Sequence, residues 1–334
     1  MIFDGFYGND NLKRLLTETL KNHTTPHALL IEGERGAGAG YFGELLAGGI
    51  LCEDGGCGVC RSCRKALKGI HPDIYVLDRG DEMIKVDDIR ALGATAAVYP
   101  NDGERKAYVI KHADNMNKNA QNALLKLLEE PPSFVSFILC AESRNKLLDT
   151  ILSRCVCLKV YPVSADEVSD YLIKNTKTKP DAAADIAAVS RGLIGRALTL
   201  TDKRRRKRYD ERLELCLETL ETLCFKSEYA FLKLAKKFSD ERDRAKRENE
   251  DPASIFDMQK RLLSDVLHVS HGRSPEAFAF FGERIEALSA RLSGEELAAL
   301  YDICEDTKQL IFRNTNYNAC INSFLVRAWE AVNG

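Results

Sequence analysis

The sequence has 334 residues, of which 45% are hydrophobic and 29% are charged, and its formal net charge is -2 at pH 7. This composition is that of an ordinary globular protein, and the length exceeds what one small core needs, so we expect two or three domains. Because the chain is nearly neutral, its global charge does not indicate nucleic-acid binding, and any DNA contact must come from a local patch or from partner subunits.

The amino-terminal segment carries no targeting pattern. Its sequence, MIFDGFYGND, has acidic residues where a secretion signal needs a basic segment and an apolar run. No stretch of the sequence approaches the roughly 18 apolar residues that span a bilayer. We therefore expect a cytoplasmic protein, in which the eleven cysteines are thiols and metal ligands rather than disulfides.

The first part of the chain alternates apolar runs with helical patterns. Five runs predict strands, at residues 27–33, 74–78, 107–113, 134–141 and 156–161. Such runs fit a parallel sheet that is covered on both faces. Between two of them, apolar positions from Ala120 to Leu128 recur at helical spacing, and Pro131 stops that helix. The alternation of strands and helices predicts a doubly wound α/β domain over residues 1–161.

After Pro162 the strand signal disappears. Residues 164–174, 181–190 and 193–200 predict three short helices, which we assign to a small domain over 162–206. Longer helical patterns predict an all-helical third domain over 207–334, with a mixed-charge loop or exposed helix end at 241–251. The basic run from Lys203 to Arg208 fits a DNA contact or a solvated linker helix, and the position at a domain boundary favours the helix.

Four cysteines lie within twelve residues in the pattern C-x4-C-x2-C-x2-C: Cys52, Cys57, Cys60 and Cys63. Four thiolates at this spacing satisfy tetrahedral Zn²⁺. An iron–sulfur cluster needs a further cysteine after the C-x2-C-x2-C run, where this chain has Leu67. Unliganded thiols are the plain alternative, but free cysteines have no packing role in such a polar, glycine-rich insert. The pattern predicts a closed zinc site that supports folding rather than catalysis, and the other cysteines are expected in the core.

A glycine-rich turn follows the first predicted strand and leads into a helix, which is the placement of a phosphate-binding loop. It reads Gly33-Glu34-Arg35-Gly36-Ala37-Gly38-Ala39-Gly40. Gly33 and Gly38 match the G-x4-G-K-[ST] pattern, but Ala39 replaces its lysine and Gly40 replaces the hydroxyl residue that binds Mg²⁺. A glycine-rich turn alone is a weak signal, because a flexible strand–helix connection has the same composition. The sequence predicts the frame of a phosphate loop without its active groups.

The acidic strand end that should hold Mg²⁺ is also missing. Lys111 and His112 directly follow the third apolar run, where a working enzyme carries acidic residues, and Asp114 lies two residues further on. A cation therefore replaces an anion at the metal position. Because two independent catalytic elements are absent together, we expect no ATP hydrolysis.

The block from Lys106 to Cys155 resembles the clamp-loader family of AAA+ proteins. The phrase NALLKLLEEPP and the triplet Ser153-Arg154-Cys155 carry the resemblance, and the cysteine cluster falls just after the phosphate-loop helix, as in bacterial loaders. The resemblance extends over roughly residues 1–200, and beyond them it concerns only length and helicity. Tau/gamma motor subunits of this family keep the lysine and the acidic pair, whereas another class of subunit commonly lacks them, as this chain does. The first zinc spacer is four residues here and usually longer in the family, which implies a different local loop.

The resemblance implies roles for single residues. Arg154 would be an arginine finger that reaches the nucleotide site of the adjacent motor subunit and neutralises charge on the γ-phosphate. Taken alone, a surface arginine is more often a solvated charge or a simple ion pair. Glu142 stands where the family has a sensor threonine or asparagine, and Arg196 matches the second sensor arginine of the lid. Without a competent phosphate loop, Arg196 is either a sensor without a ligand or a structural residue.

The resemblance also implies an architecture and partners. It implies a RecA-like α/β domain with a zinc insert at 52–63, a three-helix lid and a helical collar for oligomerisation. The partners would be the tau/gamma motors and a delta subunit, in a five-membered ring that opens the sliding clamp and places it on primed DNA. This chain would be the rigid stator of that ring.

Three alternatives remain beside the stator. The first is an active tau/gamma-type motor, which the absent lysine and acids disfavour. The second is a zinc-dependent nucleic-acid binding module on a vestigial ATPase fold. The third is ATP binding without hydrolysis, since glycine amides can still hold phosphate.

Overall fold

A computed structural model of the protein describes residues 1–80, 82–225, 228–248, 251–275, 281–313 and 315–334. Its contacts divide the chain into two compact units. The first unit comprises Met1–Ala183 and Gly192–Ala197, and the second comprises Ala184–Arg191 and Leu198–Gly334. The division into three domains at 1–161, 162–206 and 207–334 stays a prediction. Among the described residues, no helix is both long and apolar enough to cross a membrane.

The first unit is built on one parallel sheet. Its strands are β1 (Ala28–Glu32), β2 (Ile74–Leu77), β3 (Lys106–Ile110), β4 (Val135–Ala141) and β5 (Val156–Lys159). They pair in the order β2-β3-β4-β1-β5. β1, β3 and β4 are buried almost throughout, as expected for parallel strands with both faces covered. The predicted α/β fold is confirmed, since the five parallel strands alternate with helices along the first unit.

The helices follow the predicted alternation. In chain order they are α1 (Asp10–Lys21), α2 (Ala39–Ile50), α3 (Arg61–Leu67), α4 (Val86–Ala96), α5 (Lys118–Glu129), α6 (Asp149–Leu152), α7 (Ala165–Asn175), α8 (Pro180–Ser190), α9 (Ile194–Leu200), α10 (Lys203–Phe225), α11 (Glu228–Arg247), α12 (Ser254–Ser270), α13 (Gly282–Arg291), α14 (Gly294–Phe312) and α15 (Tyr317–Asn333). Local caps define several starts: the Asn117 side chain accepts a hydrogen bond from the Ala120 amide at α5, and Ser164 forms a capping box with Glu167 at α7.

Each unit has its own hydrophobic core. In the first unit one cluster lies on each face of the sheet: one contains Ile31, Phe42 and Val109, and the other contains Leu30 and Tyr108. The alternation of neighbours such as Leu30 and Ile31 between the two clusters follows from the two-residue period of a strand. The second unit buries apolar faces of α10 to α15 in a single cluster, so the prediction of a helical carboxyl-terminal region is confirmed.

The basic run at 203–208 forms the first turns of α10. Arg208 is buried and makes a two-pronged ion pair with Glu241, with one hydrogen bond at 2.8 Å. Arg206 pairs with Asp210 at 3.1 Å, one turn along the helix. Carboxylates of the same unit therefore balance much of this charge. Of the mixed-charge segment at 241–251, residues 241–247 end α11, whereas residues 249 and 250 lie outside the described residues.

Candidate functional site

The predicted cysteine ligands converge in the first unit. The Sγ atoms of Cys52, Cys57, Cys60 and Cys63 all lie within 4.8 Å of one another. The Sγ atom of Cys52 is 3.7 Å from those of Cys57 and Cys60. Because a Zn–S bond is about 2.3 Å, the sulfurs of a tetrahedral site lie about 3.8 Å apart. The four thiols therefore fit a single tetrahedral metal ion such as Zn²⁺.

Backbone amides organise the cysteine cluster. Cys57 Sγ accepts a hydrogen bond from the Cys60 amide, and Cys60 Sγ accepts one from the Cys63 amide, each at 3.4 Å. The second bond caps the amino end of α3. Amides of Val59 and Cys60 lower the pKa of Cys57 to about 7, whereas burial raises the pKa of Cys63. The amides thus favour the thiolate of Cys57, the form in which cysteine binds metal.

The cysteine loop also holds the amino-terminal segment. The Ile2 amide donates a hydrogen bond to the Gly56 carbonyl at 2.9 Å. Gly58 has a φ of 81°, and a Cβ at that position would lie 2.9 Å from the Met1 carbonyl carbon. Ile2 and Phe3 are buried in the core cluster that includes Cys52 and Cys63. Metal binding at the four thiols would therefore also stabilise the packing of residues 1–6 against the cysteine loop.

The glycine-rich turn lies between β1 and α2, as predicted. Gly36 has a φ of 95° and Gly38, which precedes α2, has a φ of 94°. Within the same unit the Gly195 amide, at the start of α9, donates a hydrogen bond to the Gly36 carbonyl at 2.8 Å. A Cβ on Gly36 would lie 3.1 Å from the backbone nitrogen of Arg196. The structure therefore places the predicted sensor residue Arg196 beside the loop, and α9 contacts the loop through its backbone.

Lys111 lies at the carboxyl end of β3 and extends along α2. A Cβ built on Gly40 would be 3.2 Å from Cδ of Lys111. The ammonium group of Lys111 pairs with Glu44 and with Asp78, the latter at 3.3 Å. Burial alone lowers the pKa of Lys111, but the Glu44 hydrogen bond and the two carboxylates hold it above its ordinary value. The cation predicted at the metal position is thus charged and has partners.

Other residues near the turn have structural roles. The side chain of Asp114 is buried and accepts hydrogen bonds from the Glu142 amide and the Lys146 ammonium, each at 3.2 Å. The Glu142 carboxylate lies 3.9 Å from the Arg35 guanidinium. His112 has a φ of 51°, a left-handed conformation at the end of β3. Asp114 therefore stabilises the turn after β4 rather than pointing freely at a ligand.

Arg154 follows α6 in the triplet of residues 153–155. Its guanidinium donates to the Glu129 carboxylate at 2.7 Å and to the Thr150 carbonyl at 2.9 Å. About a third of the side chain, 35%, is exposed. Ser153 caps the end of α6, and Cys155 is half-buried. The guanidinium is therefore held at the surface in a defined position.

Arg154 and the glycine-rich turn lie at opposite ends of the parallel strands. β1 and β5 run parallel, with Leu29 opposite Val156 and Glu32 opposite Lys159. The turn follows Glu32 at the carboxyl end of β1, whereas Arg154 precedes Val156 at the amino end of β5. A four-residue strand separates these ends by about 13 Å. Arg154 and the glycine-rich turn of the same chain are therefore not brought together by the sheet.

The partner residues Glu44, Asp78 and Glu129 were not predicted from the sequence. Glu44 lies one helical turn after Gly40 in α2, and Asp78 directly follows β2. Glu44 could have been predicted to lie near the loop, because positions 40 and 44 share one face of the helix. No local pattern connects Glu129 with Arg154, which is 25 residues away.

The sequence is similar to subunits of DNA polymerase III. Residues 8–164 match the family described as DNA polymerase III, delta subunit. A DNA polymerase III subunit delta' from Bacillus subtilis is 37% identical over 164 residues, which are 48% of this chain and 50% of that protein. A DNA polymerase III subunit tau from Escherichia coli is 33% identical over 210 residues, 60% of this chain and 32% of that protein.

The family match lies in the first half of the chain. The chain spans about half the length of the delta' protein and about a third of the tau protein. A solved structure of a DNA polymerase III gamma subunit-related protein from Thermotoga maritima aligns over 95% of this chain and 100% of its own. Its identity is 18% and its TM-score 0.43.

Proposed function

We propose that this chain, whose residues 8–164 match the family described as DNA polymerase III, delta subunit, serves as a delta-prime-type stator of a clamp loader. In this proposal it assembles with tau/gamma and delta subunits in a cytoplasmic hetero-pentamer, as a component of the DNA polymerase III holoenzyme. The assembly loads the sliding clamp on primer-template DNA. This chain hydrolyses no ATP and donates Arg154 to the neighbouring ATPase subunit.

The position of Arg154 carries this proposal. Its guanidinium is exposed, it is fixed by Glu129 and Thr150, and it lies across the sheet from the chain's own glycine-rich turn. About 13 Å along the strands separates this arginine from its own turn, so it does not lie beside a phosphate held there. It can reach a nucleotide held by a neighbouring subunit, where a guanidinium stabilises the charge that develops on the transferred phosphate.

The composition of the turn supports the absence of hydrolysis. Ala39 and Gly40 lack the lysine and the hydroxyl of a working loop. The Lys111 ammonium stands where an acidic residue would organise Mg²⁺, and Asp114 is occupied by the Glu142 amide and Lys146. These residues favour the stator over the motor, although the chain is similar to both a delta' and a tau subunit.

The other parts of the chain have assigned roles in the proposal. The four cysteines hold one structural Zn²⁺ per chain, which supports folding and performs no chemistry. The lid over 162–206, with Arg196 beside the turn, is structural. The helical collar over 207–334 provides the permanent oligomer contacts.

Hydrolysis is tested on the isolated chain. We expect ATP turnover at the background rate with Mg²⁺ present, because Ala39 and Gly40 supply neither the lysine nor the hydroxyl of a working loop. Phosphate release by the highly purified protein measures it, with a tau/gamma subunit as the positive control. Brisk Mg²⁺-dependent turnover by the chain alone would favour the motor alternative and contradict the proposal.

Assembly is tested by copurification from the native cell. We expect tau/gamma and delta subunits to accompany the tagged chain, and the isolated chain to bind DNA weakly. The nucleic-acid module alternative predicts the reverse: strong, salt-dependent DNA binding by the chain alone, because released counterions drive such binding. Recovery of the chain without either subunit, together with tight DNA binding, would contradict the stator.

A further inference from the structure

The phosphate-loop frame implies ATP with Mg²⁺, and the residues of this chain do not fit them. The misfit has two parts, which lie on different elements. Gly40 belongs to α2 and Lys111 follows β3. They are 71 positions apart in the sequence, yet the structure brings them into contact.

The first observation concerns space. A Cβ on Gly40 would lie 3.2 Å from Cδ of Lys111 and 3.4 Å from its Cγ and Cε. These distances are shorter than ordinary van der Waals contacts between carbons, which are about 3.5–4.0 Å. Threonine, the residue of a working loop, adds two further heavy atoms to that Cβ. Threonine at this position therefore requires Lys111 to move.

The second observation concerns charge. The Lys111 ammonium lies between the carboxylates of Glu44 and Asp78, and 22% of the side chain is exposed. Burial alone raises the pKa of Asp78, but the amide of Gly80 and the charge of Lys111 hold it below its ordinary value. A lysine that moves away from Gly40 gives up contacts with two carboxylates. A divalent cation brought to the same place meets the repulsion of the ammonium.

We propose that Lys111, Gly40 and Glu44 form one compensated unit, in which the lysine side chain occupies the place of the loop hydroxyl and its divalent cation. This inference rests on the proposed absence of hydrolysis and gives it a cause. The absence of hydrolysis then has two causes. One is the loop, and the other is the Lys111 ammonium, which pairs with Glu44 of α2 and with Asp78 after β2. Repair of the loop alone does not restore binding of a Mg²⁺–nucleotide.

The test compares three forms of the full chain by titration with a fluorescent ATP analogue, in Mg²⁺ and in EDTA. They are the wild type, the loop-repaired Ala39→Lys/Gly40→Thr variant, and that variant with Lys111→Asp added. We expect no Mg²⁺-dependent binding by the first two. In Mg²⁺, the variant with Lys111→Asp added should bind the ATP analogue at least about tenfold more tightly than the loop-repaired variant. Equal affinity of the second and third variants, or no gain from Mg²⁺ in the third, would overturn the inference.

A matched control separates the effect of the Lys111 side-chain volume from the effect of its charge. Lys111→Met in the loop-repaired background keeps most of the side-chain volume and removes the ammonium, and we expect it to bind less tightly than Lys111→Asp. Wild-type turnover of ATP would count against the proposed function itself. If the loop-repaired variant bound the ATP analogue tightly and the wild type hydrolysed no ATP, the result would contradict this inference alone.

Thermal unfolding gives a second test that needs no nucleotide. We expect Gly40→Thr to lower the unfolding midpoint of the wild type more than that of the Lys111→Ala variant, because the shorter side chain leaves room for threonine. The coupling of contacting residues appears as such non-additivity. Strictly additive shifts would show that the two positions are independent and would overturn the compensated unit.

Discussion

Arg154→Ala in a reconstituted clamp loader is expected to lower ATP turnover and clamp loading by about 10³-fold or more, with assembly preserved. Arginine fingers contribute about 10³–10⁵ in rate to phosphoryl transfer. The substitution removes an exposed ion pair with Glu129, and such pairs stabilise a fold by about 1 kcal/mol or less. Phosphate release and clamp loading by the complex measure the effect, and gel filtration confirms the assembly.

Two further variants make the Arg154 experiment specific. Arg90→Ala removes another exposed cation of the first unit, paired with Asp87, and should leave turnover unchanged. Arg154→Lys keeps the charge but loses the planar, two-pronged geometry of the guanidinium, so its turnover should remain low. Normal turnover by Arg154→Ala would remove the finger assignment and would leave the fold unaffected.

The Cys57→Ser/Cys60→Ser variant is expected to lose bound metal and much of its stability. Metal analysis of the wild type should give about one zinc per chain. If free zinc exceeds its Kd about 1,000-fold, metal binding stabilises the folded state by about 4 kcal/mol, and the double variant loses that contribution. Plasma emission spectroscopy measures the zinc content, and thermal unfolding measures the stability.

The control for the cysteine experiment is Cys157→Ser, which changes an exposed thiol outside the cluster. It should retain zinc and its unfolding midpoint. A strong chelator should shift the midpoint of the wild type and leave that of the double variant unchanged. Wild-type protein that contains no zinc, or a double variant as stable as the wild type, would contradict a structural zinc site.

The local sequence determined the sheet and the cysteine cluster. Each of the five predicted strands is present, because an apolar run such as residues 135–141 can be buried on both faces only in a covered parallel sheet. The four thiols fall within twelve residues, so short loops alone bring them close. The catalytic gaps at Ala39 and Gly40 were equally visible, since a motif names the chemistry that each position must supply.

The tertiary structure decided at which end of the strands each functional group lies and which residues each group contacts. The triplet at 153–155 names an arginine, but only the parallel pairing of β1 with β5 separates Arg154 from its own turn. The sequence shows a lysine at position 111, but only packing of β3 against α2 places it on Gly40 and beside Glu44. Local patterns record what one segment prefers, whereas a contact between distant segments depends on how the whole sheet and its helices assemble.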